Sequence, residues 1–243
     1  MFVVKVVGDY AWEQYQQKIQ SSKFKVQNDN SKLKISKTGV IASSYGASAR
    51  RNLVTNTGLI TLEQFQNQRF GFITELRKKI ERFVAHRART VIVPSEYLKK
   101  IIKMWGVGEE KIRVIYNSFE PPKVVMSREE ARMKHDLSGM VIVSSGRLVP
   151  WKGFDALIAM MPELMRNIPD ALLVIIGSGP EEANLRREAA RAGVEDRVKF
   201  TGGVSRQMFL EYLAAADVFV LNSGYEGFSH TILEAMAMGV LTV

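Results

Sequence analysis

Two rhythms of apolar positions alternate along this chain. Short, nearly unbroken apolar runs occur at residues 90–95 (TVIVPS), 112–117 (IRVIYN), 141–146 (VIVSSG), 172–177 (LLVIIG), 198–202 (VKFTG) and 218–223 (VFVLNS). Between and after them lie stretches with helical spacing: SEYLKKIIKMWG, GFDALIAMMPELMRN, EEANLRREAARAG, SRQMFLEYLAAAD and a last one from about Ser229. Near-continuous apolar strands suit a parallel sheet covered on both faces, and helical crossovers between them give a doubly wound, Rossmann-like α/β domain. Residues 2–7 read as one more buried strand. In FGFITELRKKIERFVAHRA, Phe72, Leu76, Ile80, Phe83 and Val84 fall on one helical face.

The rhythm fails in two places. Residues 14–58, rich in Lys, Ser, Asn and Gln, have no sustained period and read as a long polar excursion or mobile loop. Residues 118–140 contain Pro121-Pro122, which forbids a regular helix or central strand there. The expected layout is a partial first domain at 1–117 with an irregular insert at 14–62. A linker at 118–140 with a short helix and a second domain at 141–243 complete it.

Composition narrows the classes. At 243 residues and 46% apolar content the chain can bury a core and suits two domains. It has no cysteine, which excludes disulfides and thiolate metal sites and fits a reducing compartment. His86, His135 and His230 are far apart without ligand spacing, so no metal is expected. No apolar run approaches the roughly 18–20 residues that cross a bilayer, and the N-terminus lacks the basic lead-in of a signal peptide. Residues 1–139 hold 25 Lys and Arg against 13 Asp and Glu (+12), and residues 140–243 hold 9 against 12 (−3). A basic first half suits an anionic partner, such as a membrane surface, a phosphorylated acceptor or nucleic acid; it equally suits a solvated basic face.

Candidate chemistry sits where a parallel sheet binds ligands, just beyond the carboxyl ends of its strands. In EGFSHT, a helix starting near Ser229 would offer unpaired N–H groups and the positive end of its dipole to a phosphate, approached through Gly227. Glu226 lies in the turn, where its carboxylate can accept from hydroxyls, and Glu234 lies one to two turns inside the helix. Spacing alone favours a plainer role, with Glu226 answering the helix dipole and Glu234 solvated. In GRLVPWKG, Arg147 and Lys152 bracket a strand-end loop and could clamp a diphosphate without a metal; a surface pair beside Trp151 fits that stretch as well. Gly177-Ser178-Gly179-Pro180 is neither G-x-G-x-x-G nor a P-loop, and ordinary turn chemistry covers it. Taken together, two cations, a helix N-terminus and two carboxylates describe a site for a diphosphate carrying several hydroxyls, as a nucleotide sugar does.

These segments resemble the retaining glycosyltransferases of family 4, formerly glycosyltransferase group 1, which have the two-domain GT-B fold. The matching pieces are GRLVPWKGFDALI, LLVIIGSGPEE, VKFTGGVS and EGFSHTILEAMAMG, the last carrying the E-x7-E pattern; VVKVVGDYAWE and VIVPSEYLKKII…WGV…KIRVIYN resemble the acceptor-side domain. The resemblance implies that Glu226 holds donor-sugar hydroxyls at the reacting carbon and Glu234 the ribose hydroxyls. It implies that Arg147 and Lys152 bind the diphosphate, that amides of Phe228, Ser229 and His230 complete the cradle, and that the base lies near Gly177 and residues 198–201. It implies no cofactor or metal, and a UDP-, GDP- or ADP-sugar donor. Configuration would be retained by a front-face mechanism without a covalent enzyme intermediate.

The implied acceptor is a saccharide, a lipid-linked glycan or a small molecule, in cell-envelope or exopolysaccharide synthesis. The implied location is cytoplasmic, with peripheral contact of the basic half at an anionic membrane. A complete member of the family would have further strands before Met1 and would continue past the strand-like LTV, so truncation at both ends, with reduced catalysis, is the expectation. The competing readings are a GT-B epimerase or phosphorylase and a fragment that binds nucleotide sugar without turnover. A nucleic-acid binder is a poorer fit, since no aromatics interleave a basic strand face.

Overall fold

The computed structural model describes residues 2–6, 60–118 and 126–243; most of the polar insert and the Pro121-Pro122 pair lie outside the described residues. The chain forms two compact units, residues 1–116 and 117–243.

In the first unit, β1 (Val3–Lys5), β2 (Thr90–Val93) and β3 (Ile112–Val114) form a parallel sheet in the order β1-β2-β3. Val91 and Val93 of β2 are fully buried, and Leu98, Ile101 and Ile102 of α3 (Glu96–Met104) are buried too. Ser95 caps α3 by accepting from the Leu98 N–H. β1 corrects the sequence reading: it is shorter than residues 2–7 and is not buried, with Phe2 and Val3 about half exposed at the sheet edge.

A further helix, α1 (Leu62–Asn67), was missed. Thr61 and Gln64 form a reciprocal capping box at its start, and Phe65 is fully buried and stacked on Phe70. α2 (Phe72–Arg87) departs from the usual rule that the apolar face of a helix turns inward. Phe72, Ile73, Leu76, Ile80 and Phe83 are exposed, while Lys78 is only 4% exposed on the opposite side. Lys78 Nζ donates to the carbonyls of Phe65 and Gln68 and to Glu75 Oε1, which satisfies all three of its N–H groups.

The second unit holds the expected doubly wound sheet. β4 (Val141–Ser145), β5 (Leu172–Ile176), β6 (Val198–Gly202), β7 (Val218–Phe219) and β8 (Leu241–Thr242) are parallel, in the order β6-β5-β4-β7-β8. Alternate residues along β4 and β5 enter different cores, as a strand's period of two requires. Val141, Val143, Val174 and Ile176 pack with α7 (Arg206–Ala215) and α8 (His230–Ala237). Ile142, Leu173 and Ile175 pack with α5 (Phe154–Asn167) and α6 (Glu182–Arg191). Fully burying each such aliphatic side chain contributes about 1.5–3 kcal/mol.

The described part of the stretch read as a linker packs into this unit. α4 (Arg128–His135) is capped by a Ser127/Glu130 box, and Ala131 is fully buried against α7. Lys134 and His135 both reach Glu211 at 2.8 Å, and Arg132 reaches Asp217 at 2.6 Å. The Lys134 bond is the main reason that the Glu211 carboxyl titrates below its usual range.

Candidate functional site

The strand order contains one reversal. From β4 the chain winds outward through β5 to β6, with α5 and α6 on one face; it then returns to β7 and β8, with α7 and α8 on the other. The loops leaving β4 and β7 therefore part to opposite faces between neighbouring strands, and the crevice at such a switch point is where doubly wound sheets take ligands.

Backbone contacts hold the strand-end loops together at this edge. The N–H of Leu148 donates to the Ser178 carbonyl (3.0 Å), and that of Glu181 to the Leu148 carbonyl (3.1 Å). These bonds join the loops after β4 and β5. The Gly224 N–H donates to the Trp151 carbonyl (2.7 Å), and Asn222 Nδ2 to the Gly153 carbonyl (3.0 Å), joining the loops after β4 and β7. Glycine is required where the loops touch: a Cβ on Gly177 (φ +137°) would meet the Gly146 carbonyl oxygen at 1.9 Å, and one on Gly153 (φ +64°) the Asn222 oxygen at 2.4 Å.

On this frame the predicted side chains take definite positions. Lys152, in the 3-10 turn Pro150–Lys152, and Glu226, in the loop after β7, form an ion pair across the switch point, both partly buried. Arg147 is exposed on the same loop as Lys152 and has no ion-pair partner among the described residues. Glu234 lies in α8 and pairs with Arg206, Nε to Oε1 at 3.0 Å, rather than with Lys152 or Arg147. The four predicted charges thus form one direct pair, a second carboxylate held by a different arginine, and an open arginine.

α8 begins at His230 with Ser229 as its N-cap, as expected near Ser229. No side chain caps it, and its first turn holds no acid. Its N-terminal amides, including those of Phe228–His230, belong to the loop that carries Glu226 and Gly227. The Phe228 carbonyl accepts from Asn117 Nδ2 at 3.0 Å, and Ser229 Oγ lies 2.8 Å from Thr231 Oγ1.

Gly177 sits at the junction of three strand ends, donating its N–H to the Gly202 carbonyl at 2.8 Å. Ser145 Oγ, buried at the end of β4, has no hydrogen-bond partner among the described residues. Nearby, burial raises the Glu181 carboxyl above its ordinary range, and the charge of Asp155 adds to the effect.

The sequence marks the loops that begin at Ser145 and Asn222 as candidate ligand positions without giving either residue a role, and it passes over Arg206. Asn222 was legible as the residue ending an apolar run, and Ser145 as a polar residue inside one. Arg206 gave no signal, because its partner lies 28 positions away on another helix.

Among the described residues no helix is long and apolar enough to cross a membrane, and no group of three or more His, Cys, Asp or Glu could hold a metal ion.

Known proteins match both parts of the chain. The family described as Glycosyl transferases group 1 matches residues 127–243, and Glycosyltransferase Family 4 matches residues 42–121. The uncharacterised glycosyltransferase YqgM of Bacillus subtilis is 30% identical over 69% of this chain and 45% of its own length. The GDP-mannose-dependent alpha-(1-6)-phosphatidylinositol monomannoside mannosyltransferase of Mycolicibacterium smegmatis is 41% identical over 42% of this chain and 29% of its own. Among solved structures, Anabaena Alr3699/HepE in complex with UDP-glucose superposes with a TM-score of 0.59 at 26% identity, covering 69% of this chain and 48% of that one. The chain spans less than half the length of each of these proteins.

Proposed function

Because the chain belongs to the group 1, family 4 glycosyltransferases with the GT-B fold, we propose that it serves sugar transfer from a nucleotide-diphosphate sugar. The acceptor is a saccharide, a lipid-linked glycan or a small molecule, the anomeric configuration is retained, and the product belongs to cell-envelope or exopolysaccharide synthesis. The observation that carries this reading is the Lys152–Glu226 pair across the β4/β7 switch point, beside the uncapped start of α8. One loop supplies positive charge for a diphosphate and the other a carboxylate for sugar hydroxyls. The similarity to a mannosyltransferase and to a UDP-glucose-bound structure supports the donor class.

In the reaction the bond between the anomeric carbon and the diphosphate oxygen breaks, and the electron pair leaves with the diphosphate. The acceptor hydroxyl oxygen bonds to that carbon from the same face, and its proton passes to the departing phosphate oxygen. Charge builds negative on the leaving group and positive on the sugar, so preorganised cations at the first centre lower the barrier without a metal. Arg147 and Lys152 serve that centre, Glu226 holds the sugar, and Glu234 binds the ribose. The amides at Phe228–His230 complete the phosphate cradle, and Gly177 borders the base.

Calorimetric titration of the chain with UDP, GDP, ADP and their sugars tests the reading. Saturable binding of at least one nucleotide diphosphate is expected, and no binding by any of them sinks the donor assignment.

We also propose that the first unit makes peripheral contact with anionic membrane. On α2 the exposed stripe Phe72, Ile73, Leu76, Ile80, Phe83 is bordered on the helical wheel by Arg77 and Lys79, with Arg87 at its end. An apolar face edged with cations is what an interfacial helix presents to acidic lipid. Flotation with phosphatidylserine-containing vesicles should carry the protein upward and Phe83→Ser should reduce that. Equal flotation of both proteins, or of neither, contradicts the assignment.

A further inference from the structure

Glu234 is the more enclosed of the two site carboxylates. Its side chain is 12% exposed, and its one ion-pair partner among the described residues, Arg206, is 61% exposed. A largely desolvated carboxylate is costly unless charge or hydrogen bonds offset the lost hydration. Here the offset comes from another helix, through Arg206 Nε and Glu234 Oε1.

The position of Arg206 is not explained by its own helix. It is the first residue of α7, where the positive end of the helix dipole disfavours a cation, and the first turn of α7 holds no acid to answer it. α7 and α8 lie on the same face of the sheet, and both begin at its carboxyl edge. That arrangement brings an arginine at the start of one helix to a glutamate inside the other. The contact is monodentate: Oε1 accepts from Arg206, and Oε2 accepts from no group among the described residues. A carboxylate fixed through one oxygen presents the other in a set direction, which suits recognition of a neighbouring pair of hydroxyls.

We propose that Arg206 is a positioning residue that aims Glu234 at the ribose diol of the donor nucleotide, and so sets the preference for ribonucleotides over 2′-deoxyribonucleotides. The inference rests on the donor-site reading above and adds a residue and a selectivity to it.

The test is titration calorimetry of the full chain with UDP, GDP and ADP and with their 2′-deoxy counterparts, in the wild type, Arg206→Ala, Arg206→Lys and Glu234→Gln. The wild type should prefer the ribonucleotide. Arg206→Ala should lower that preference roughly tenfold, about the worth of one charge-assisted hydrogen bond, by weakening the ribonucleotide while leaving the deoxy form nearly unchanged. Glu234→Gln should lose the same preference, and Arg206→Lys should recover part of it. A purely structural arginine would weaken both nucleotides equally, and that result overturns the proposal, as does an Arg206→Ala preference equal to the wild type. A wild type that binds nucleotide diphosphates without preferring ribose also overturns it, while leaving the donor site standing. Absence of all nucleotide binding fails the donor reading itself and takes this inference with it.

Discussion

Lys152 and Glu226 neutralise one another at the crevice between β4 and β7, so a diphosphate arriving there competes with the carboxylate for the ammonium. The two residues should therefore respond differently to substitution. Glu226→Gln removes the competitor, and nucleotide diphosphate affinity should hold or rise by up to roughly tenfold, while sugar transfer falls by about two orders of magnitude or more. Lys152→Ala removes a charge-assisted donor, and the same affinity should fall roughly tenfold or further. Titration of both variants, with a transfer assay on the first, checks this; Glu226→Gln transferring sugar normally would remove its assigned role. At this scale the sequence was informative wherever chemistry depends on position along a strand. Glu226, Lys152 and Gly177 follow apolar runs, and that alone placed them beyond the carboxyl ends of the strands, the edge at which parallel sheets take ligands. The pairing of charges was not legible, because Lys152 could have faced either carboxylate and Arg206 entered no motif. Glycine at 177 looked like ordinary turn chemistry, and the structure gives it a sharper reason, the Gly146 carbonyl lying where a Cβ would be.

Among the elements, α2 separates what periodicity can and cannot say. The spacing of Phe72, Leu76, Ile80 and Phe83 shows that one face is apolar, but nothing in it says which face meets the rest of the unit. Here the polar side packs, because Lys78 finds two carbonyls and a carboxylate within bonding distance. Two substitutions in one helix should then invert the usual hierarchy. Phe83→Ser removes a side chain that is 65% exposed and should shift stability by about 0.5 kcal/mol or less. Lys78→Met strands a buried carbonyl and should cost about 2–4 kcal/mol. Urea unfolding monitored through the first unit checks both, and comparable midpoints would refute the inverted orientation. Other elements were partly legible. The strand read at 218–223 is regular only at Val218–Phe219, although Val220 and Leu221 still donate to the Val143 and Val243 carbonyls; the chain then turns, and Asn222 and Gly224 bond to the β4 loop. α1 was missed although Thr61-x-x-Gln64 announces its start, because six residues are too few to establish a helical period.

For the whole molecule, charge and function divide along the same line as the fold. Residues 1–116 hold 21 Lys and Arg against 9 Asp and Glu (+12), while residues 117–243, which carry every residue assigned to the donor site, hold 13 against 16 (−3). Each unit has its own sheet and buried residues, so each can in principle melt separately. A calorimetric scan of the intact chain should show two transitions, and a nucleotide diphosphate should raise one of them. At a free concentration about 100 times Kd the expected stabilisation is about 2.7 kcal/mol, confined to the unit that binds. A variant identifies that transition independently. Glu211 titrates below the usual carboxylate range in the folded protein, chiefly because Lys134 bonds to it. A carboxyl lowered on folding stabilises the native state above its unfolded pKa, and this contribution disappears as pH falls through the lowered value. Glu211→Gln should therefore lower the nucleotide-sensitive transition at neutral pH, and its deficit against the wild type should shrink on acidification, while the other transition stays in place. If nucleotide raised one transition and Glu211→Gln lowered the other, the donor site could not lie within residues 117–243.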